Sequence, residues 1–158
     1  GKVRCLAYGS NYYYQDGSSD SDGFVAGVSQ AVSITNGWSF TCALILDGTI
    51  SCWGNGYWGV FGPDQTGVTA SPVKVPGLTN VVQIEAAWDH MCAINNVGDL
   101  YCWGRNDYGQ LGLGFSSYIV SITAGPQHPM EKCGVGETMG MVKVVMVQVV
   151  DLTTHLCR

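Results

Sequence analysis

"TCALILDGTISCWG" at residues 41–54 returns fifty residues later as "MCAINNVGDLYCWG" at residues 91–104, and these two stretches decide the fold. Each brackets nine residues between two cysteines, centres a glycine in the gap and follows the second cysteine with Trp-Gly. Gly48 and Gly98 stand where a hairpin loop needs a positive φ. Each stretch is therefore predicted to form a strand, a tight turn and a second strand.

The cysteines of each stretch are equidistant from the turn. In an antiparallel hairpin they face each other across the ladder, at a separation that a disulfide can span. Zinc sites prefer cysteines two to four residues apart, which does not fit this spacing. We predict the disulfides Cys42–Cys52 and Cys92–Cys102 and no metal at these residues.

A longer repeat surrounds the hairpins. "VSITNGWSFTC" (32–42), "VQIEAAWDHMC" (82–92) and "VQVVDLTTHLC" (147–157) align without gaps, and the first two copies share Trp38 and Trp88. The Val-x-β-branched start of each copy is typical of a half-buried strand. The chain is predicted to be all-β, with about three repeats of roughly 50 residues that each form a small antiparallel sheet.

Residues 81–114, "VVQIEAAWDHMCAINNVGDLYCWGRNDYGQLGLG", resemble a repeat of the regulator of chromosome condensation family. The hairpin glycine, the Trp-Gly pair and the Gly-Gln-Leu-Gly tail carry the resemblance. Residues 32–62 match less well, the two chain ends match in part, and residues 10–30 and 116–140 do not match. The resemblance implies a β-propeller with one four-stranded blade per repeat, and the paired cysteines resemble secreted members of the family.

The chain ends look like two halves of one further hairpin block. Residues 147–157 supply its first half and residues 1–9 its second half, so Cys5 and Cys157 are a candidate terminal or interchain disulfide. Three blades are fewer than the about four to eight of most propellers. We therefore expect a single repeat domain over residues 1–158 that is either a fragment of a longer chain or a subunit of a ring or filament.

Charge and hydropathy exclude some partners. The formal net charge is −5, only 12% of residues are charged and no Lys/Arg cluster occurs, so nucleic acid is not expected as a partner. The longest apolar run, "MGMVKVVMVQVV", is short and contains Lys143, so it is interpreted as strand and not as a membrane span. Paired cysteines favour an extracellular, secreted location. The Ser-rich stretch at 18–23 is compatible with O-linked sugar.

No catalytic pattern is present, and the chain is predicted to be neither an enzyme nor a cofactor protein. His90 and His155 occupy equivalent positions, where Phe40 stands in the first copy, so a packing or hydrogen-bonding role is favoured. Cys133 has no partner in the pattern and is interpreted as a loop cysteine, free or intermolecular. Asp20 and Asp22 in "SSDSDG" resemble a calcium loop, but no Glu closes the loop, so a solvated acidic turn is favoured.

Several aromatic residues fall in the predicted loops or at their margins. Large aromatic side chains on loops form partner surfaces, since they bury much area at a low entropic cost. Packing over the blade ends explains them equally well, and both interpretations stay open. The candidates are Tyr13, Tyr57, Trp58, Tyr108 and Tyr118.

The pattern as a whole predicts a non-catalytic extracellular scaffold or binding protein that assembles by strand completion and disulfides. Its partners would be further copies of itself or other proteins. Two alternatives follow from the family resemblance: guanine-nucleotide exchange on a small GTPase, and inhibition of an enzyme.

Overall fold

The structure is a computed structural model that describes residues 1–5, 17, 18, 20–114, 116–120 and 155–157. All regular elements in these residues are strands, which confirms the predicted all-β class. Within the same residues, no helix has the length and hydropathy needed to cross a membrane. The strands are β1 Val3–Cys5, β2 Ala31–Asn36, β3 Phe40–Ile45, β4 Ile50–Asn55, β5 Val68–Lys74, β6 Val81–Ala87, β7 His90–Asn95, β8 Leu100–Asn106, β9 Ser117–Val120 and β10 His155–Cys157.

Eight of these strands form two antiparallel sheets of four, each in chain order. Sheet A contains β2 to β5 and sheet B contains β6 to β9. The turns at the centre of each sheet follow the expected chemistry, with Gly48 at φ 77° and Gly98 at φ 91°. Asp47 and Asn95 accept backbone N–H groups inside these turns, which fixes the turn geometry.

The turn geometry sets the strand register and therefore the disulfides. Cys42 pairs with Cys52 across β3 and β4, and Cys92 pairs with Cys102 across β7 and β8. The sulfurs lie 2.12 Å and 2.09 Å apart, so both internal pairs stand at disulfide distance, as the spacing predicted.

The two faces of sheet A contact different neighbours, because successive side chains on a strand point in opposite directions. Phe40, Cys42 and Leu44 of β3 pack toward sheet B, against Met91 and Trp103. The residues between them turn to the other side of the sheet. There Ala43 joins Trp53, Val3, Val25 and Val28 in a second buried cluster.

Each Trp of the Trp-Gly pairs is covered by a loop. Trp103 of sheet B is fully buried, and its Nε1 donates a hydrogen bond to the Val60 carbonyl, 2.9 Å away in the loop between β4 and β5. Trp53 of sheet A packs instead with Val25 and Val28, from a segment outside the repeat pattern. That segment therefore completes the core on the far side of sheet A.

The chain ends pair with each other, but not as predicted. Strand β1 pairs with β10 in parallel, with Val3 opposite His155 and Cys5 opposite Cys157. The expected antiparallel split hairpin is wrong in orientation. A short turn forces antiparallel pairing in the internal hairpins, whereas two ends without a direct turn are free of that constraint. Cys5 is disulfide-bonded; Tyr13, Cys133 and residues 121–154 lie outside the described part of the chain.

His90 is predicted to make stability depend on pH. Its side chain is buried, and within the described residues Nε2 has no hydrogen-bond partner. Burial lowers the pKa of His90, and the nearby charge of Asp89 opposes this only in part. The unfolded chain, with a His pKa of about 6.5, therefore binds the proton more readily than the folded chain. The contribution of neutral, buried His90 to the free energy of unfolding is therefore complete above about pH 6.5 and is lost as the pH falls below that value.

The variant His90→Phe carries the residue found at the equivalent position 40, so it should fit the same place. We expect it to lack this part of the pH dependence, which amounts to at most about 1.4 kcal/mol per pH unit. Urea unfolding of both proteins at neutral pH and near pH 5 checks this. If both proteins lose the same free energy of unfolding between neutral pH and about pH 5, groups other than His90 cause the acid sensitivity.

Candidate functional site

Four loops leave sheets A and B at the same edge, because the strands of each sheet alternate in direction. They join β2 to β3, β4 to β5, β6 to β7 and β8 to β9, and they bring aromatic side chains of both sheets together. We call this region the loop surface, and its members are Trp38, Tyr57, Trp58, Trp88, Arg105 and Tyr108.

Trp38 and Trp88 form the centre of the loop surface. Their rings stack with centroids 5.0 Å apart and an interplanar angle of 16°. The Trp38 backbone N–H donates to the Trp88 carbonyl at 2.8 Å, which ties the two loops together. Both side chains nevertheless stay 66% and 69% exposed. Large exposed aromatic pairs of this kind are typical of binding surfaces.

Trp38 and Trp88 are shared by two copies of the repeat, but the sequence pattern does not predict that they lie on a surface. The available signal was their position between two predicted strands, where a large apolar side chain cannot join the core of its own sheet. Trp88 also has a φ of 28°, an uncommon conformation for a residue other than glycine.

Arg105 lies beside this stack, at the end of β8. Its guanidinium carbon is 4.5 Å from the Trp58 ring centroid and 5.4 Å from that of Tyr108. It forms ion pairs with Asp107 at 2.8 Å and with Asp89 at 3.1 Å. A cation is thus held between aromatic faces and carboxylates of three loops.

The ionisation states of this cluster support each other. The hydrogen bonds to Asp107 and, to a smaller extent, Asp89 raise the pKa of Arg105 above its ordinary value. The same contact with Arg105 lowers the pKa of Asp107. Both groups therefore keep their charges across the physiological range, and the cluster holds its shape by fixed charges.

The aromatic residues that were predicted as binding candidates lie in different places in the structure. Tyr57 and Tyr108 are 60% and 83% exposed on the loop surface. Trp58 is half-buried, packs against the core between the sheets and contacts Tyr57 edge-on, so it serves both interpretations. Tyr118 lies within strand β9 and not in a loop. Tyr13 falls outside the described residues.

A second surface lies on the side of sheet B that faces away from sheet A. It is a shallow apolar depression beside the second disulfide, and we call it the open face. In sheet A the equivalent disulfide is fully buried by sheet B, whereas Cys102 is 9% exposed and Cys92 more so. Within the described residues, the open face is lined by Gln83, Glu85, Cys92, Ile94 and Leu100, and Leu111 and Leu113 pack beside Cys102 at its border.

In the candidate calcium loop, the carboxylate of Asp20 accepts hydrogen bonds from the loop's own backbone. Asp20 Oδ1 accepts the backbone N–H groups of Asp22 and Phe24, each at 2.9 Å. These bonds, that of Phe24 first, lower the pKa of Asp20, and Lys2 lies 4.0 Å from it. In the residues that the structure describes, no three His, Cys, Asp or Glu side chains are grouped closely enough to hold a metal ion.

Family comparison agrees with the repeat pattern and extends it, because the matched ranges also include residues 116–140, for which no resemblance was expected. The model described as "Regulator of chromosome condensation (RCC1) repeat" matches residues 47–94 and 97–147, more than half of the chain. A second model with the same description matches residues 81–110. No curated protein sequence matches the chain.

The fold is similar to that of several solved structures. One of them is human WBSCR16, which is 25% identical to this chain, with a TM-score of 0.57 over 71% of it. Prp20p from Saccharomyces cerevisiae is 23% identical with a TM-score of 0.58 over 75% of this chain. Yeast RCC1 (Prp20) bound to Kap60 is 23% identical with a TM-score of 0.50 over 62% of it. The chain spans 32%, 32% and 25% of these proteins, respectively.

Proposed function

This chain belongs to the regulator of chromosome condensation repeat family, and we propose that it is a non-catalytic, extracellular scaffold that binds proteins and assembles with further copies of itself. The two disulfides support an oxidising compartment, since such bonds do not persist in a reducing cytosol.

One observation carries the assembly proposal: the disulfide of each unit faces the next unit. Cys5 of the terminal pair packs beside the cluster that contains Ala43 and Trp53 of sheet A. The disulfide of sheet A packs in the same way with Ala93 and Trp103 of sheet B. In the described part of the chain, Leu111 and Leu113 border the disulfide of sheet B and leave it partly exposed on the open face, so a further unit with an equivalent apolar pair would complete the series.

A second copy can supply that unit in a head-to-tail arrangement, with the open face of one chain against the terminal strand pair of the next. Such a contact gives a ring if the rotation closes and a filament if it does not. Two chains of about three blades would make about six, within the usual range for closed propellers. The end strands β1 and β10 pair within one chain here, and the same pairing exchanged between chains would lock the assembly covalently through Cys5 and Cys157.

Native mass spectrometry tests this proposal. We expect the protein to be a dimer or a larger assembly, and Ile94→Glu to shift it to single chains, because the new carboxylate lies on the open face. Val97→Glu is the matched control, since Val97 is 75% exposed at the tip of the same hairpin and away from that face. Single chains for the unsubstituted protein, or no effect of Ile94→Glu, would contradict the proposal. Comparing reducing and non-reducing gels separates strand exchange from surface contact.

A second candidate function is that of a protein-binding regulator, which the exposed loop surface favours. The solved relative Prp20p is described by its binding to Gsp1p and histones, and yeast RCC1 (Prp20) by its complex with Kap60. Their identity to this chain is 23%, so the likeness supports the fold, while each partner has to be tested directly. Retention of a small GTPase by the immobilised chain would favour this function over the scaffold.

A further inference from the structure

We propose that the loop surface is a docking site for a partner protein segment rich in arginine or lysine. This proposal does not depend on assembly, since the loop surface and the open face involve different residues. It rests on the exposed tryptophan stack, on the charge of the surrounding loops and on the way Arg105 is already held there.

The exposed tryptophan stack supplies the apolar part of the site. Trp38 and Trp88 are each about two-thirds exposed, and Tyr57 and Tyr108 extend the aromatic area on either side. The ring faces of Trp attract cations more strongly than those of Tyr or Phe. A long cationic side chain also contributes apolar contact through its methylene groups, so it can cover a ring while its charge stays in water.

The negative charge of the loops favours a positively charged partner segment. The loops at this edge, residues 37–39, 56–67, 88–89 and 107–116, contain three aspartates and no Lys or Arg. Among the residues that the structure describes, Arg105 is the cation beside these loops, and it is paired with two of those aspartates. The surface therefore keeps a negative balance, in a chain whose net charge is −5, and an acidic segment would be repelled.

Arg105 shows that a guanidinium fits this chemistry. It lies over the rings of Trp58 and Tyr108 while its nitrogens bond the carboxylates of Asp89 and Asp107. The Trp38–Trp88 stack is a second aromatic surface next to Asp89, through the chain connection of Trp88. A partner arginine over this stack would repeat the arrangement that the chain makes internally.

Fluorescence polarisation with a labelled peptide of alternating arginine and glycine tests the proposal. The comparison peptide carries citrulline in place of arginine, which removes the charge and keeps the shape. We expect the arginine peptide to bind more tightly, with an affinity that falls at high salt. The double variant Trp38→Ala, Trp88→Ala should bind about 10-fold more weakly, since each exposed cation–π contact contributes a factor of a few.

Two control proteins make the result specific. Leu46→Ala, Val97→Ala removes exposed apolar side chains from the hairpin turns at the opposite edge and should leave binding unchanged. Trp38→Phe, Trp88→Phe keeps the rings and should retain part of the affinity. Equal binding of the citrulline peptide, or full binding by the Ala variant with its unfolding curve unchanged, would overturn the proposal. Loss of self-association in the Ala variant, without peptide binding by the parent, would instead assign the surface to a second copy.

Discussion

Replacing all four cysteines of the internal disulfides with alanine is expected to lower the free energy of unfolding by about 5 kcal/mol. Each bond joins residues separated by 10 positions, and closing a loop of that size stabilises by about 2.5–3 kcal/mol in the chain-entropy model. A loss of this size approaches the whole stability of a small domain. Reduced protein, which also loses the disulfide of Cys5, should unfold in far less urea than oxidised protein.

The two single-pair variants separate the sources of this effect. The sequence separation is the same for both bonds, so the loop entropy cancels when their losses are compared. The sulfurs of Cys42 and Cys52 are fully buried between the sheets, whereas the other pair borders the open face. Removing Cys42 and Cys52 should therefore lower the free energy of unfolding by more than removing Cys92 and Cys102, because packing around the buried sulfurs is lost as well. Equal costs would mean that an additional unit also buries the second pair in solution.

The internal hairpins could be predicted from the sequence because every signal for them is local. A glycine at the turn, two equidistant cysteines and alternating side chains specify the register without reference to the rest of the molecule. The same information predicted the all-β class and the family, which the repeat matches confirm.

The pairing of the chain ends depends on distant residues, so the sequence predicts it only in part. The pairing of β1 with β10 is confirmed, whereas the predicted antiparallel arrangement of a hairpin is wrong. Nothing within three-residue strands fixes their direction when no turn connects them. The role of Val25 and Val28 was missed for the same reason, because their contact with Trp53 joins segments far apart in the chain.

The loop surface was predictable in part as well. Tyr57 and Tyr108 were candidates because they fall in predicted loops, where partner binding and packing over the blade ends were both open. The stacking of Trp38 on Trp88 requires knowing that two sheets place equivalent loops side by side. The ion pairs of Arg105 join separate loops and could not be read from spacing. Repeats thus specify each sheet well, and the surface they create together is visible only after the sheets are packed.

Trp103→Ala is expected to lower the free energy of unfolding by about 3–5 kcal/mol, the range for deleting a large buried aromatic side chain. Trp103 is fully buried between the sheets, and its loss also leaves the Val60 carbonyl without its 2.9 Å hydrogen bond. The effect should be read from urea unfolding followed by far-ultraviolet circular dichroism, since a tryptophan is removed from the fluorescence signal.

Trp88→Ala is the matched control, because it deletes the same side chain from the same sheet at a site that is 69% exposed. The variant loses the stacking on Trp38, which is worth about 0.5–1.5 kcal/mol. Trp103→Phe keeps most of the packing and should fall between the two, which keeps the comparison measurable if the alanine variant fails to fold. Similar losses for Trp103→Ala and Trp88→Ala would refute the packing of sheet B under the loop of sheet A. We expect Trp103→Ala to lose stability in a single cooperative transition. Such a result would mean that sheets A and B unfold together, because Trp103 belongs to sheet B and its hydrogen-bond acceptor, Val60, to a loop of sheet A.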